Sequence, residues 1–158
     1  MSQVTVLHGP NLNLLGQREP HIYGRQTLDE VNAEIRAKAS TLGLAVNIHQ
    51  SNHEGVLIDR VQACLTDGTE ALIINAGGYT HTSVALRDAV AALEGKVITL
   101  EVHLSVPEAR EPFRHHSYLA PVVLGRIEGL GGLSYLLALQ AASALIGGRG
   151  HVRDQRPS

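Results

Sequence analysis

The segment "LHGPNLNLLGQREPHIYG" (residues 7–24) holds an arginine, Arg18, and a tyrosine, Tyr23, in a stretch far longer than a plain turn requires. A phenol serves as a base only if something favours its ionised form, because unperturbed it ionises near pH 10. A fixed guanidinium close by is one such agent. Further along the chain come groups that move protons or grip oxygens. Asn75 stands in "NAGG", His81 and Asp88 in "THTSVALRD", and Glu101, His103 and Ser105 in "EVHLS"; Arg110 and Arg114 follow in "PEAREPFRHHS". With Asn11 they make a set of amides, imidazoles, guanidinium groups, a hydroxyl and carboxylates. Such a set suits a small, anionic, oxygen-rich molecule.

Each residue alone has a plainer reading. Arg18 reads as a solvated loop charge, Tyr23 as a half-buried anchor, and His81 as a helix-start residue facing water. His103 reads equally as a satisfied structural histidine, and Asn75 as a turn cap. Convergence on one place is what favours the functional reading, and that depends on the elements carrying them.

Strand and helix signals alternate. "VTVLH" (4–8) reads as a buried strand, followed by a helix over 27–43. Thr27 and Glu30 form a capping box there, Leu28, Val31, Ile35 and Leu42 supply the apolar stripe, and Gly43 ends it. Strands over 44–50, 70–76 and 96–103 alternate with helices over 53–68 and 81–93. A fifth strand lies within 120–131, and a last helix covers 133–146. This order predicts an α/β fold: a flavodoxin-like, doubly wound, five-stranded parallel sheet with helices on both faces. The expected organisation is one domain over residues 1–146, with a long loop over about 9–26, and a frayed Gly- and Arg-rich tail over 147–158. In such sheets ligands bind beyond the carboxyl ends of the strands. The first strand runs toward Asn11, the third ends at Asn75, and the fourth ends at Glu101 and His103. A third helix opening with "THTS" places His81 and Asp88 on one face, two turns apart.

The whole chain narrows the classes. Its 158 residues allow one well-formed core, and a net charge of −2 offers no basic field for nucleic acid or an anionic membrane. No apolar run reaches membrane-spanning length, and the start lacks the basic and apolar regions of a secretory signal. The single cysteine, Cys64, reads as a small buried apolar residue, so the expected compartment is a reducing cytoplasm. Nine histidines give no His-x-x-x-His pair with further ligands, and His115 and His116 diverge, so no metal is expected. Phosphate-binding glycine motifs, a Gly-x-Ser-x-Gly elbow, the hydroxyl-rich loop of a flavin site and the acidic cluster of a receiver domain are all absent.

"GPNLNLLGQREPHIYG", "NAGGYTHTSVALRDA", "EVHLS", "FRHHSYLAPV" and "GRIEGLGGLSYLLAL" closely resemble type II 3-dehydroquinate dehydratase, or type II dehydroquinase, in order and spacing from about residue 4 to 146. The resemblance implies dehydration of 3-dehydroquinate to 3-dehydroshikimate through an enolate, in the shikimate pathway, with no metal or organic cofactor. It implies that Tyr23 accepts the proton next to the ketone, that Arg18 favours its phenolate, and that Asn11 holds a water at the enolate oxygen. His103 matches the proton donor, and Glu101 is near enough to orient it. Asn75, the backbone of Leu104, and Ser105 match the carboxylate-binding positions, while His81, Asp88 and Arg114 match those that hold ring hydroxyls. The 1–146 domain is then expected to be catalytic and its 9–26 loop to act as a lid that Arg110 supports, with Gly16 and Gly24 as hinges; Asp88 is expected from a neighbouring subunit, and the assembly to be a dodecamer of trimers. The unrelated type I enzymes use a lysine Schiff base; here Lys38 and Lys96 are the only lysines, expected on a solvent-facing helix side and at the far end of a strand.

One stretch departs from the family pattern. Val106, Pro107 and Glu108 stand where the family usually has Asn, a variable residue and His, and Pro112 replaces a more usual acidic or polar residue. "SVPE" reads as a helix start with Ser105 as N-cap and Glu108 completing a capping box.

Overall fold

The computed structural model describes residues 1–148. The tail expected beyond 147 lies, apart from Gly147 and Gly148, outside the described residues. The chain runs β1 (Ser2–His8), α1 (Pro20–Tyr23), α2 (Leu28–Thr41), β2 (Leu44–Gln50), α3 (Glu54–Ala63) and β3 (Thr69–Asn75). It continues through α4 (Val84–Ala91), β4 (Ile98–His103), β5 (Gly125–Glu128) and α5 (Leu133–Gly147).

All strand pairs are parallel, and the sheet order is β2-β1-β3-β4-β5. This is the flavodoxin-like order, and its switch point lies between β1 and β3. Successive side chains point to opposite faces of a strand, and β3 shows it. Ala71 and Ile73 join the core that holds Val31, Ile35 and Ala39 of α2 and Tyr135, Ala138, Leu139 and Ala142 of α5. Leu72 and Ile74 join the opposite core with Leu57 and Val61 of α3 and Leu86 and Val90 of α4. A strand buried on both faces must be apolar throughout, which is why "ALII" has no polar side chain. The ends of β1 and β3 approach closely. A Cβ on Gly9 would meet the Ala76 carbonyl carbon at 2.5 Å, so only glycine fits.

The helix over 27–43 starts as its sequence requires: the Thr27 hydroxyl accepts the Glu30 N–H at 3.2 Å. The helix expected over 81–93 does not. Residues Gly77–His81 form a 3-10 turn, and α4 begins only after Ser83, whose hydroxyl accepts the Leu86 N–H at 2.9 Å. A better N-cap three residues on outcompetes the earlier start. His81 and Asp88 therefore share no helical face. The strand expected from Lys96 begins at Ile98, because the N–H groups of Lys96 and Val97 both return to the Leu93 carbonyl.

Candidate active site

The carboxyl ends of β1, β3 and β4 are His8, Asn75 and His103. Beyond them lies a cavity of about 150 Å³. Its floor comes from the strand ends: Asn75, His103, Leu104 and Ser105, with His81 from the 3-10 turn. Its other walls carry Asn11, Arg18 and Tyr23 from the segment after β1, and Arg110 and Arg114 from the segment after β4. The predicted site residues thus converge, with two exceptions. Glu101 stands behind His103, and Asp88 is exposed on α4, paired with Arg87 at 2.8 Å.

The floor is built of interlocked hydrogen bonds. The His103 Nε2–H donates to the fully buried Glu101 carboxylate, leaving Nδ1 as the ring nitrogen for the cavity. Two further groups hold that carboxylate. The Ser117 hydroxyl donates to it at 3.0 Å, and the Arg126 Nε lies 3.5 Å away. His81 Nδ1–H donates to the His116 carbonyl at 2.7 Å, which leaves its Nε2 as an acceptor. Burial, and the neighbouring His103 and Arg114, lower His81 below its ordinary value against the raising effects of that carbonyl and of Glu101. A neutral imidazole with a fixed acceptor suits a ligand hydroxyl.

The wall after β1 is built differently. It is no bare loop, since residues Leu12–Leu14 make a 3-10 turn and Pro20–Tyr23 the single-turn helix α1. Asn11 and Glu19 are the non-glycine residues with positive φ among the described residues, at 69° and 42°. Such conformations cost energy and cluster at functional sites. Gly16 and Gly24 also take positive φ, and a Cβ on Gly16 would meet the Arg25 carbonyl oxygen at 2.9 Å. Over the Tyr23 ring lie two guanidinium groups, with the Arg110 Cζ at 4.9 Å from its centroid and the Arg18 Cζ at 5.2 Å. Glu19 faces both arginines, at 3.7 Å from Arg18 and 3.9 Å from Arg110.

Ser105 does not cap a helix. Residues Pro107–Ala109 form a three-residue 3-10 turn with Val106 before it, and no side chain caps it. The Ser105 hydroxyl instead faces the Arg110 Nη1 at 3.5 Å, and Glu108 is exposed. A turn this short presents no row of helix N–H donors for a capping box to serve. Among the described residues, no three of His, Cys, Asp and Glu are placed to share a metal ion.

A sequence model of the dehydroquinase class II family matches residues 2–143. The chain belongs to this family. It is 51% identical over 147 residues to a 3-dehydroquinate dehydratase of Trichodesmium erythraeum, covering 93% of this chain and 96% of that one. It is 54% identical to a 3-dehydroquinate dehydratase of Bordetella avium over 139 residues, or 88% and 95% of the two chains. The crystal structure of a type II dehydroquinase from Butyrivibrio crossotus superposes with a TM-score of 0.87 at 40% identity, covering 89% and 97%.

Measured against this dehydroquinase fold, several site neighbours carry no signal in the sequence. Ser117 and Arg126 reach Glu101 from distant segments. Arg110 lies closer to the Tyr23 ring than Arg18 does, although only Arg18 shares its segment.

Proposed function

We propose that the chain dehydrates 3-dehydroquinate to 3-dehydroshikimate, as the names of its relatives indicate for those proteins. One observation carries this reading. A phenol under two guanidinium groups and an imidazole backed by a buried carboxylate face one small cavity. Tyr23 removes a proton from the carbon beside the ketone, and Arg18 and Arg110 stabilise the phenolate that does so. The electron pair moves to the ketone oxygen as an enolate, where Asn11 holds a water as donor. The enolate then re-forms the carbonyl, the carbon–hydroxyl bond breaks, and the His103 imidazolium gives the departing oxygen its proton. Water leaves, and the proton on Tyr23 must return to His103 before the next turnover.

Asn75, Leu104 and Ser105 are assigned to the substrate carboxylate, and His81 and Arg114 to its hydroxyls. Asp88 is assigned to a neighbouring subunit's site within a dodecamer of trimers. Its exposure and its place outside the lining of its own cavity support that assignment. A cytoplasmic setting fits the one cysteine, Cys64, buried as a thiol and donating to the Arg60 carbonyl. No described helix is long and apolar enough to cross a membrane. The test is an ultraviolet assay with 3-dehydroquinate. Growth of the conjugated enone at a rate proportional to enzyme is expected, and none above the enzyme-free control would end the reading.

A further inference from the structure

Behind Asn75 runs a line of polar side chains, buried except for the half-buried Asn32 at its end, to which the proposed reaction gives no part. The Gly77 N–H meets Asn75 Oδ1 at 3.2 Å, and Asn75 Nδ2 meets the Tyr135 hydroxyl at 3.0 Å. That hydroxyl meets His8 Nδ1 at 2.8 Å, and His8 Nε2 meets Asn32 Oδ1 at 2.8 Å. Asn75 is 3% exposed, and His8 and Tyr135 are fully buried. The line joins β3, α5, β1 and α2.

Its direction follows from donor counting. A backbone N–H can only donate, so Asn75 must turn its oxygen to Gly77 and its nitrogen to Tyr135. The Tyr135 oxygen therefore accepts, and its own hydrogen must go to His8 Nδ1. That nitrogen carries no proton, so His8 is protonated at Nε2 and Asn32 must present its oxygen. One backbone group thus sets the polarity of four side chains. An amide has two N–H donors, and Tyr135 takes one. Among the described residues no protein acceptor takes the other, and Asn75 lines the cavity.

We propose that Tyr135, His8 and Asn32 are positioning residues, a one-way hydrogen-bond chain that locks the Asn75 amide with a free N–H turned to an anionic oxygen of the ligand. Without the chain only the Gly77 N–H, at 3.2 Å, holds the amide, and a rotated amide would turn its oxygen to the anion, an exchange of attraction for repulsion. Burial supports the arrangement by lowering His8 to about 4 against the raising effect of Asn32, so Nδ1 stays an acceptor at neutral pH. The inference rests on the proposed function only in taking the anionic group to be the substrate carboxylate.

Two measurements test it. In the ligand-free protein at pH 7, the nitrogen NMR spectrum of His8 should show Nε2 protonated and Nδ1 bare. A proton on Nδ1 would overturn the chain whether or not 3-dehydroquinate is the substrate. In kinetics, His8→Leu should raise KM for 3-dehydroquinate about tenfold, the scale of one weakened hydrogen bond to an anion, with kcat within about twofold. His8→Asn places an oxygen where Nδ1 was and should recover most of that loss. A merely structural role would lower thermal stability in both variants and leave KM alone. If His8→Leu does not fold, Tyr135→Phe, which keeps the ring and removes only the hydroxyl, should show the same rise. A folded variant of either kind with unchanged KM, or His8→Asn no better than His8→Leu, sinks the proposal. Failure of wild-type turnover would instead strike the proposed function, leaving the ring spectrum to decide the chain.

Discussion

The two sides of the cavity are made by different means. The strand-end floor holds its polar groups by short, directional bonds between buried atoms: His103 to Glu101, Glu101 to Ser117 at 3.0 Å, and Asn75 to Tyr135 at 3.0 Å. The wall after β1 holds Tyr23 with guanidinium contacts near 5 Å and with ion pairs of 3.7 and 3.9 Å to the half-exposed Glu19. Exposed pairs of that length contribute little to stability. The floor is therefore rigid by construction, and the wall is placed by charge. Binding groups and the proton donor gain from fixed geometry. The base proposed here, on a segment proposed to close over substrate, gains from an element that yields cheaply.

The largest test of that contrast is Tyr23→Phe. Tyr23 is only partly buried, so the variant should fold with a melting temperature close to wild type. Its kcat should fall by at least about a hundredfold. Retention of more than a tenth of wild-type kcat would remove the base from the yielding side. On the rigid side, Glu101→Gln should lower kcat about tenfold to a hundredfold, because the proposed proton donor His103 loses the anionic partner of its Nε2–H. It should also lower the melting temperature, since the Arg126 guanidinium loses one of its two carboxylate partners and keeps only Glu128, at 3.2 Å. Loss of kcat with no thermal effect would mean that the Arg126 pair does not brace the floor.

How far the sequence foretells each side follows the same division. Tyr23, Arg18 and Asn11 stand in one segment longer than a turn requires, so the segment is marked by its length, while the resemblance implies what each residue does. The sheet is legible for the same reason, because apolar runs, the Thr27 cap and closing glycines are all local signals. His81 misleads, since "THTS" offers several caps and only Ser83 takes the role. The floor's buried network is nearly invisible. His8 and Tyr135 stand 127 residues apart, and Tyr135 sits in a helix so apolar that it reads as core. Ser117 and Arg126 are likewise brought to Glu101 by topology and by no periodicity. Buried polar pairs across a sheet leave no pattern along the chain.

Acid separates the sides more gently. His8 in an unfolded chain has the ordinary value of 6.5, and in the fold it lies at about 4. The unfolded chain thus binds more protons between those values, and stability rises with pH across that window. The contribution is complete above pH 6.5 and is lost as pH falls through about 4. The loss amounts to roughly 2 kcal/mol by pH 5 and about 3 kcal/mol in full. Denaturant midpoints of wild type and His8→Asn, compared at pH 7 and pH 5, isolate this group from carboxylates common to both. Equal acid losses in the two proteins would mean that the floor does not hold His8 neutral.

The smallest expected effect lies at the edge of the floor, where Val106, Pro107 and Glu108 depart from the family pattern. If Ser105 capped a helix with Glu108 in its first turn, the Glu108 carboxylate would compete with the substrate for the same N–H donors. Glu108→Gln would then lower KM for 3-dehydroquinate two- to fivefold at low salt, an effect of about 0.3–1 kcal/mol. The folded turn removes the premise. Val106 precedes it, Pro107 in its first position has no N–H to offer, and the Ser105 hydroxyl faces Arg110. Glu108 points its charge into solvent, where water and salt screen it. Glu108→Gln should therefore change KM by less than about 1.5-fold in low salt and leave kcat alone, within the ordinary reach of an exposed charge. A twofold or larger fall in KM that disappears in about 0.5 M salt would show that the turn opens toward the ligand after all, and that this part of the floor behaves like the wall opposite.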